Sequence, residues 1–445
     1  MLGSPRLLQL VKFAILFLFA VWLLKSAVSY RSTYEGVARH FQDEKESFIA
    51  DFLSHEVDGE FDGHDIAELC AAKPWEPNLI LSCDPPAGGL VAVKNAHLNC
   101  LRIAMEMGAG FIAPSIIKRD KQNLGQLKPY TGKGPVRGEP FDYLFDFNYL
   151  NRTLHSLCPQ MKLYKSIDDL YDVPSVMTAE NINLKSFNIH IKNKTVISDP
   201  SDLSPKAKTY IDKVSPPENR TRPIRFHLAV TNWAFPTSSD GPAVERTFGR
   251  LIRAREDARH LSAVALYNLQ KRHGLEPNPA RGPMNKTVTG VHLRTEIDSD
   301  WSFPKFDNQA EYLLDYIKAS KAKIVFLSTG ASEAHTSKFA GLARDLNTTI
   351  VLKTDLLEGG DLEKLNSLSY DQKALVDHEI MLRVGLAAGS AHSAFDWDIA
   401  LRRANLAGAS DPAPRVNTSA GIAWQDGRST IFGVADNSYR QTIWP

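Results

Sequence analysis

Val288-Thr289-Gly290-Val291-His292-Leu293-Arg294-Thr295-Glu296-Ile297-Asp298 begins as an apolar run and ends in charge. Val288 to Arg294 reads as a buried strand, and a period of two sends His292, Arg294 and Glu296 to one face. Outward from it, Lys323–Ser328, Thr349–Leu352 and Val384–Gly389 read as further buried strands. Stretches with helical spacing lie between them near 309–320, 333–346 and 371–383, and another follows at 394–405. Strands alternating with helices at this spacing imply right-handed crossovers and a doubly wound parallel sheet. In such sheets a ligand sits beyond the carboxyl ends of the strands.

Three strand ends therefore carry the chemistry. At the first, Arg294 can act as a two-pronged donor to a phosphate, or can simply pair with Glu296 and pin the strand end. The second, Leu327-Ser328-Thr329-Gly330, is small enough for a ligand to approach but equally suits a strand-to-helix turn. The third runs Gly389-Ser390-Ala391-His392-Ser393-Ala394-Phe395. Ser393 reads as a helix N-cap there, and free N–H groups at a helix start attract anions. Asp298-Ser299-Asp300 and Asp396-Trp397-Asp398 match a metal-holding D-x-D pattern but read better as pairing or solvated residues, so no metal is expected. No G-x-S-x-G, H-E-x-x-H or Walker pattern occurs.

The first half shows a strand at Leu79–Ser82, Gly88-Gly89, a helix over Asn95 to Met107, and a second strand around Phe111-Ile112-Ala113. Before it, Tyr30 to about Pro74 reads as a partly helical stalk without chemistry. At roughly 100–200 residues per domain, 445 residues allow two or three domains. The expected organisation is residues 1–29 as an anchor or signal, 30–75 as the stalk, and 76–270 and 271–445 as two α/β domains. With 52 Lys plus Arg against 51 Asp plus Glu, the net charge of +1 leaves no basic footprint for nucleic acid.

Leu7 to Val28 is mostly apolar and follows Arg6, which fits a signal anchor with a cytosolic N-terminus or a cleaved signal peptide. Either places the rest of the chain in a lumenal or extracellular compartment. Sequons at Asn151, Asn193, Asn219, Asn285, Asn347 and Asn417 agree. Cys70, Cys83, Cys100 and Cys158 would then be free to pair in any of three ways, Cys70–Cys83 among them.

The His292-Leu293-Arg294-Thr295-Glu296-Ile297-Asp298 run resembles the H-L-R-x-E-x-D signature of the GDP-fucose protein O-fucosyltransferase superfamily. Gly88-Gly89-Leu90, Phe141 to Leu154, Phe248 to Gln270, Val325 to Gly330, Val351-Leu352-Lys353-Thr354 and Ala374 through Arg403 resemble other segments of that family, in order. The resemblance implies a GT-B-like fold, two Rossmann-like domains facing a cleft, using GDP-fucose without a metal or other cofactor. It implies a Golgi or ER enzyme transferring fucose, with inversion, to a hydroxyl of a protein or glycan acceptor. By position, Arg294 would stabilise the departing diphosphate, and His292 and Asp377 would hold the nucleotide. Ser393 and Phe395 would line its pocket, and Glu296 and Asp298 match the signature. Glu296 is also the nearest candidate base, although its ion pair weakens it as one. Where the family has N-Q and an arginine after G-G-L, this chain has Val91-Ala92 and then Lys94. Either Lys94 replaces that cation or the first half of the site is altered. The alternative to an enzyme is a secretory nucleotide- or carbohydrate-binding protein of the same fold.

Overall fold

A computed structural model describes Phe19, Trp22 and residues 42–86, 88–119, 138–192, 196–228, 234–276, 278–296, 303–404, 406, 413–434 and 437–445. Met1–Asp51 forms one compact unit, in which residues 42–50 are helical, and Phe52–Pro445 forms another. The Leu7–Val28 segment lies outside the described residues except for Phe19 and Trp22. Among the described residues, no helix is long and apolar enough to cross a membrane.

Phe52–Pro445 is built on two α/β sheets. The first has five parallel strands in the spatial order Leu163–Tyr164, Gly110–Ile112, Leu79–Cys83, Ile224–Leu228, Ala179–Ile182. The second has six, ordered Thr349–Val351, Ile324–Thr329, Val288–Leu293, Leu386–Ser390, Ser429–Phe432, Ile422–Gln425, and only the last runs antiparallel to its neighbour. The doubly wound parallel sheet expected for the second half is thus present. Every residue of Val288–Leu293 is buried, which is what a central parallel strand covered on both faces requires. Gly290 stands there because a Cβ would lie 2.4 Å from the Met381 sulfur.

From Val288–Leu293 the chain winds outward through two strands, then returns to the other side through Leu386–Ser390. The order of winding reverses between these two strands, so their carboxyl ends splay and leave a crevice. His292 and Arg294 stand at one lip of it. The turn after Ser390, running into helix Ala394–Ala404, forms the other.

Three expectations need correction. Residues 52–75 are not a stalk: Phe52, Val57, Ile66 and Cys70 are buried in the larger unit. Their burial is matched by charge, because Glu56 and Asp58 sit among Arg250, Arg253, Arg259 and Arg402, with Arg253–Glu56 at 2.9 Å and Arg402–Asp58 at 3.0 Å. The division at 270/271 falls inside helix Glu256–His273, which packs on helix Tyr370–Arg383 of the second half. Helix Asn437–Thr442 and the residues after it return to the first half, where Trp444 is fully buried against Phe248 and bonded to Asn95 and Asn99. The disulfides are Cys70–Cys158 and Cys83–Cys100, not Cys70–Cys83. Cys83 ends a strand beneath the helix that carries Cys100, while Cys70 meets the C-terminal end of helix Phe147–Leu157.

Candidate active site

Between the two sheets lies a cavity of about 500 Å³, large enough for a nucleotide-sized ligand. Its first-half wall is Gly88 to Ala92 with Arg119. Its second-half wall includes His292, Arg294, Glu296, Lys353, Tyr370, Asp377, Ser393 and Phe395. Six of the eight residues singled out from sequence therefore line one cavity. Asp298 lies outside the described residues. Lys94 is the exception and a correction: its ammonium donates to the Asp398 carboxylate at 2.9 Å, away from the cavity wall, and both are buried.

Arg294 leaves the strand end under tight backbone control. Its N–H donates to the Gln309 side-chain oxygen at 3.0 Å, and its carbonyl accepts from the Gln309 amide nitrogen at 2.6 Å. Gln309 is fully buried, so the backbone beneath the guanidinium is fixed on both sides. The guanidinium reaches Glu296 Oε2 at 2.5 Å. Glu296 Oε1 accepts from the Tyr370 hydroxyl and the Gly330 N–H, each at 2.9 Å. Burial would raise the Glu296 pKa, but the adjacent Arg294 overrides it and holds the carboxyl below its usual range. Thus engaged and ionised, Glu296 is a poor proton acceptor.

His292 Nδ1 lies 2.9 Å from Asp396 Oδ1, and the other oxygen of Asp396 accepts from the Ser390 N–H at 2.8 Å. Burial disfavours a charged imidazole, yet Asp396 outweighs it and lifts His292 above the ordinary histidine range. Gly389 makes this contact achievable, since a Cβ there would fall 2.1 Å from the Asp396 carboxyl carbon. The D-x-D run is accordingly spent on pairing: Asp396 holds His292, while Asp398 holds Lys94 and accepts from His378 Nε2 at 2.7 Å. The Phe395 ring sits between the two histidines, 4.8 Å from His292 and 5.3 Å from His378.

Ser393 is the expected N-cap, its hydroxyl accepting from the Asp396 N–H at 3.2 Å. Ala394 and Phe395 follow at the start of that helix, and both line the cavity. Asp377 adds an acceptor. One carboxylate oxygen takes Lys353 at 2.6 Å, whereas Oδ1 is buried without a hydrogen-bond partner. Burial pushes this carboxyl up against the opposing effect of Lys353. An unmatched buried acceptor on a cavity wall is costly unless a ligand donor meets it.

The wall also contains polar and close-approach residues not singled out as site residues, among them Arg119, Gly330, Lys353 and Tyr370. Gly330 and Lys353 fall in stretches quoted for their resemblance, but Arg119 and Tyr370 carry no local signal. Among the described residues, no group of three or more His, Cys, Asp or Glu could hold a metal.

Neither a family model nor a curated protein matches the sequence. Solved structures that it resembles include POFUT1 in complex with GDP, at 12% identity over 80% of this chain and 99% of that one, with a TM-score of 0.45. POFUT1 in complex with GDP-fucose matches at 12% identity over 81% of this chain and 100% of that one, with a TM-score of 0.43. A mutant of Arabidopsis thaliana FUT1 in complex with GDP matches at 11% identity over 76% and 71% of the two chains, with a TM-score of 0.35.

Proposed function

We propose that this chain is a glycosyltransferase of the fucosyltransferase type, moving fucose from GDP-fucose to a hydroxyl of a protein or glycan with inversion at the sugar carbon. The observation that carries this reading is Arg294, fixed at a switch-point crevice within one cavity with His292, Asp377 and the Ser393 helix start. In the transfer, the bond between the sugar and the diphosphate breaks and its electron pair stays on the diphosphate. Arg294 and the first turn after Ser393 meet the charge that develops there. The acceptor oxygen forms the new bond from the opposite side of the sugar, and its proton passes to solvent water or to the released diphosphate. Glu296, already engaged by three donors, is not the recipient of that proton. The second-half wall holds the donor, and the first-half wall faces the acceptor. The N-terminal apolar run and the sequons support a secretory setting, with Leu7–Val28 as anchor or signal.

Thermal shift on the purified chain tests this. GDP and GDP-fucose should raise the melting temperature more than UDP does, and chelator should leave the effect intact. A shift with UDP alone, or one abolished by chelator, would move the protein to another class. One observation favours a binding protein without transfer: Lys94, the cation expected in the first-half wall, pairs with Asp398, and Arg119, which does line that wall, pairs with Asp371 at 2.6 Å, so each is neutralised. GDP binding without any release of fucose would select that reading.

A further inference from the structure

On the reading of this cavity as a nucleotide-sugar site, we infer that Tyr370 is a positioning residue. It orients Arg294 through Glu296, and first-half residues set its own place. Glu296 can hold the guanidinium in one orientation only if its own carboxylate cannot turn. Oε2 takes Arg294, so the turn is prevented at Oε1, where the Tyr370 hydroxyl and the Gly330 N–H both donate. The same hydroxyl lies 3.5 Å from Arg294 Nη1, closing a triangle of tyrosine, carboxylate and guanidinium. The fit is close enough to exclude a side chain at position 330, where a Cβ would come within 2.4 Å of Glu296 Oε1 and 2.7 Å of the Tyr370 hydroxyl.

Tyr370 opens helix Tyr370–Arg383, and the residues flanking it bind the first half. The Tyr143 hydroxyl donates to Ser369 Oγ at 2.6 Å, and the Gln372 amide donates to the Tyr143 carbonyl at 2.9 Å. Asp371 accepts two N–H groups of Arg119, at 2.6 and 3.2 Å. A change in the spacing of the two sheets is therefore passed to the Tyr370 hydroxyl, and through Glu296 to the charge that meets the diphosphate. The hydroxyl stays a donor throughout, since burial, reinforced by Glu296, pushes its pKa up.

Tyr370→Phe removes one oxygen and keeps the ring. Turnover, read as GDP-fucose hydrolysis, should fall on the order of 100-fold, the cost of a small misplacement of a reacting group. Donor KM and melting temperature should change little, and the preference for GDP over GMP should shrink. In Tyr370→Phe/Arg294→Lys the loss should be no greater than in Arg294→Lys alone, as for residues that act as a unit. Tyr143→Phe, which does not touch the cavity, should weaken the same quantities in the same direction. Crystals of ligand-free Tyr370→Phe should show the Arg294 guanidinium turned from Glu296. If the wild type binds neither GDP nor GDP-fucose, the nucleotide-sugar reading falls, and these crystals still decide whether Tyr370 places Arg294. An unmoved guanidinium with undiminished turnover would overturn the inference, as would losses that merely track a lowered melting temperature.

Discussion

Arg294 and Glu296 are two residues apart, yet the substitutions at Arg294 should behave differently. Arg294→Lys keeps a positive charge beside the buried carboxylate but loses the two-pronged geometry. It should melt close to wild type while turnover falls roughly 100- to 1,000-fold, about 2.7–4 kcal/mol of transition-state stabilisation. Arg294→Ala strands the carboxylate, and breaking a buried pair costs about 3–5 kcal/mol. The pH dependence follows from the direction of the Glu296 shift. In the wild type its depressed pKa adds stability above the unfolded value, and that stability is lost as pH falls through the folded one. Without the arginine, burial is opposed only by the weaker pull of His292 and the Tyr370 hydroxyl, so the folded pKa rises and the stability that Glu296 contributes at neutral pH shrinks. The melting deficit of Arg294→Ala against wild type should therefore widen as pH rises from about 4 to 7. A deficit independent of pH would show that Glu296 is not the group responsible.

At the scale of elements, the strand and helix after the switch point are locked by one close approach. Gly389→Ala places a methyl group 2.1 Å from the Asp396 carboxyl carbon. Asp396 cannot swing aside, because His292 and the Ser390 N–H hold it. The substitution should cost about 1–3 kcal/mol, as overpacking does, and should weaken donor binding through His292. Denaturant melts and GDP titration on one preparation check both. The disulfides supply a second comparison. Cys70–Cys158 spans 88 residues and Cys83–Cys100 spans 17. If chain entropy dominates, removing the longer link as paired alanines should cost about 1.5 kcal/mol more than removing the shorter one. Equal losses in urea melts would show that packing at the cysteines matters more than loop length.

For the whole molecule, the decisive feature is that residues 52–75 belong to the folded unit. A chain starting at Asn78 would leave Cys158 without its partner and the Arg250, Arg253, Arg259 and Arg402 cluster without Glu56 and Asp58. Calorimetry should show no cooperative transition for it, whereas a chain starting at Gln42 should keep one. A cooperative melt from Asn78 onward would return this stretch to the role of a stalk. Asn151, Asn285, Asn347 and Asn417 are exposed and open to glycosylation. Expression in a eukaryotic secretory host should give a glycosidase-sensitive mobility shift, and cytosolic protein without any shift would contradict the proposed compartment.

The second-half sheet was legible in the sequence because each central strand is buried on both faces, and short apolar runs bounded by small residues report that directly. The Ser393 cap was legible for a similar reason, since a cap is decided within four residues. The Arg294–Glu296 pair was readable as a pair, but not as part of a wall that also contains Tyr370. Lys94 shows why. Helix Leu90–Met107 is buried nearly all round, so its periodicity does not say which side meets the cavity. The partner that turns Lys94 away, Asp398, lies 304 positions on. Arg119 and Tyr143 likewise gain their partners from Ser369 to Gln372, across the gap between the sheets. Hydrophobic period and capping are local and survive in one dimension. Ion pairs, disulfide partners and the facing of a buried helix depend on which surfaces meet, and the packing of the two sheets decides that.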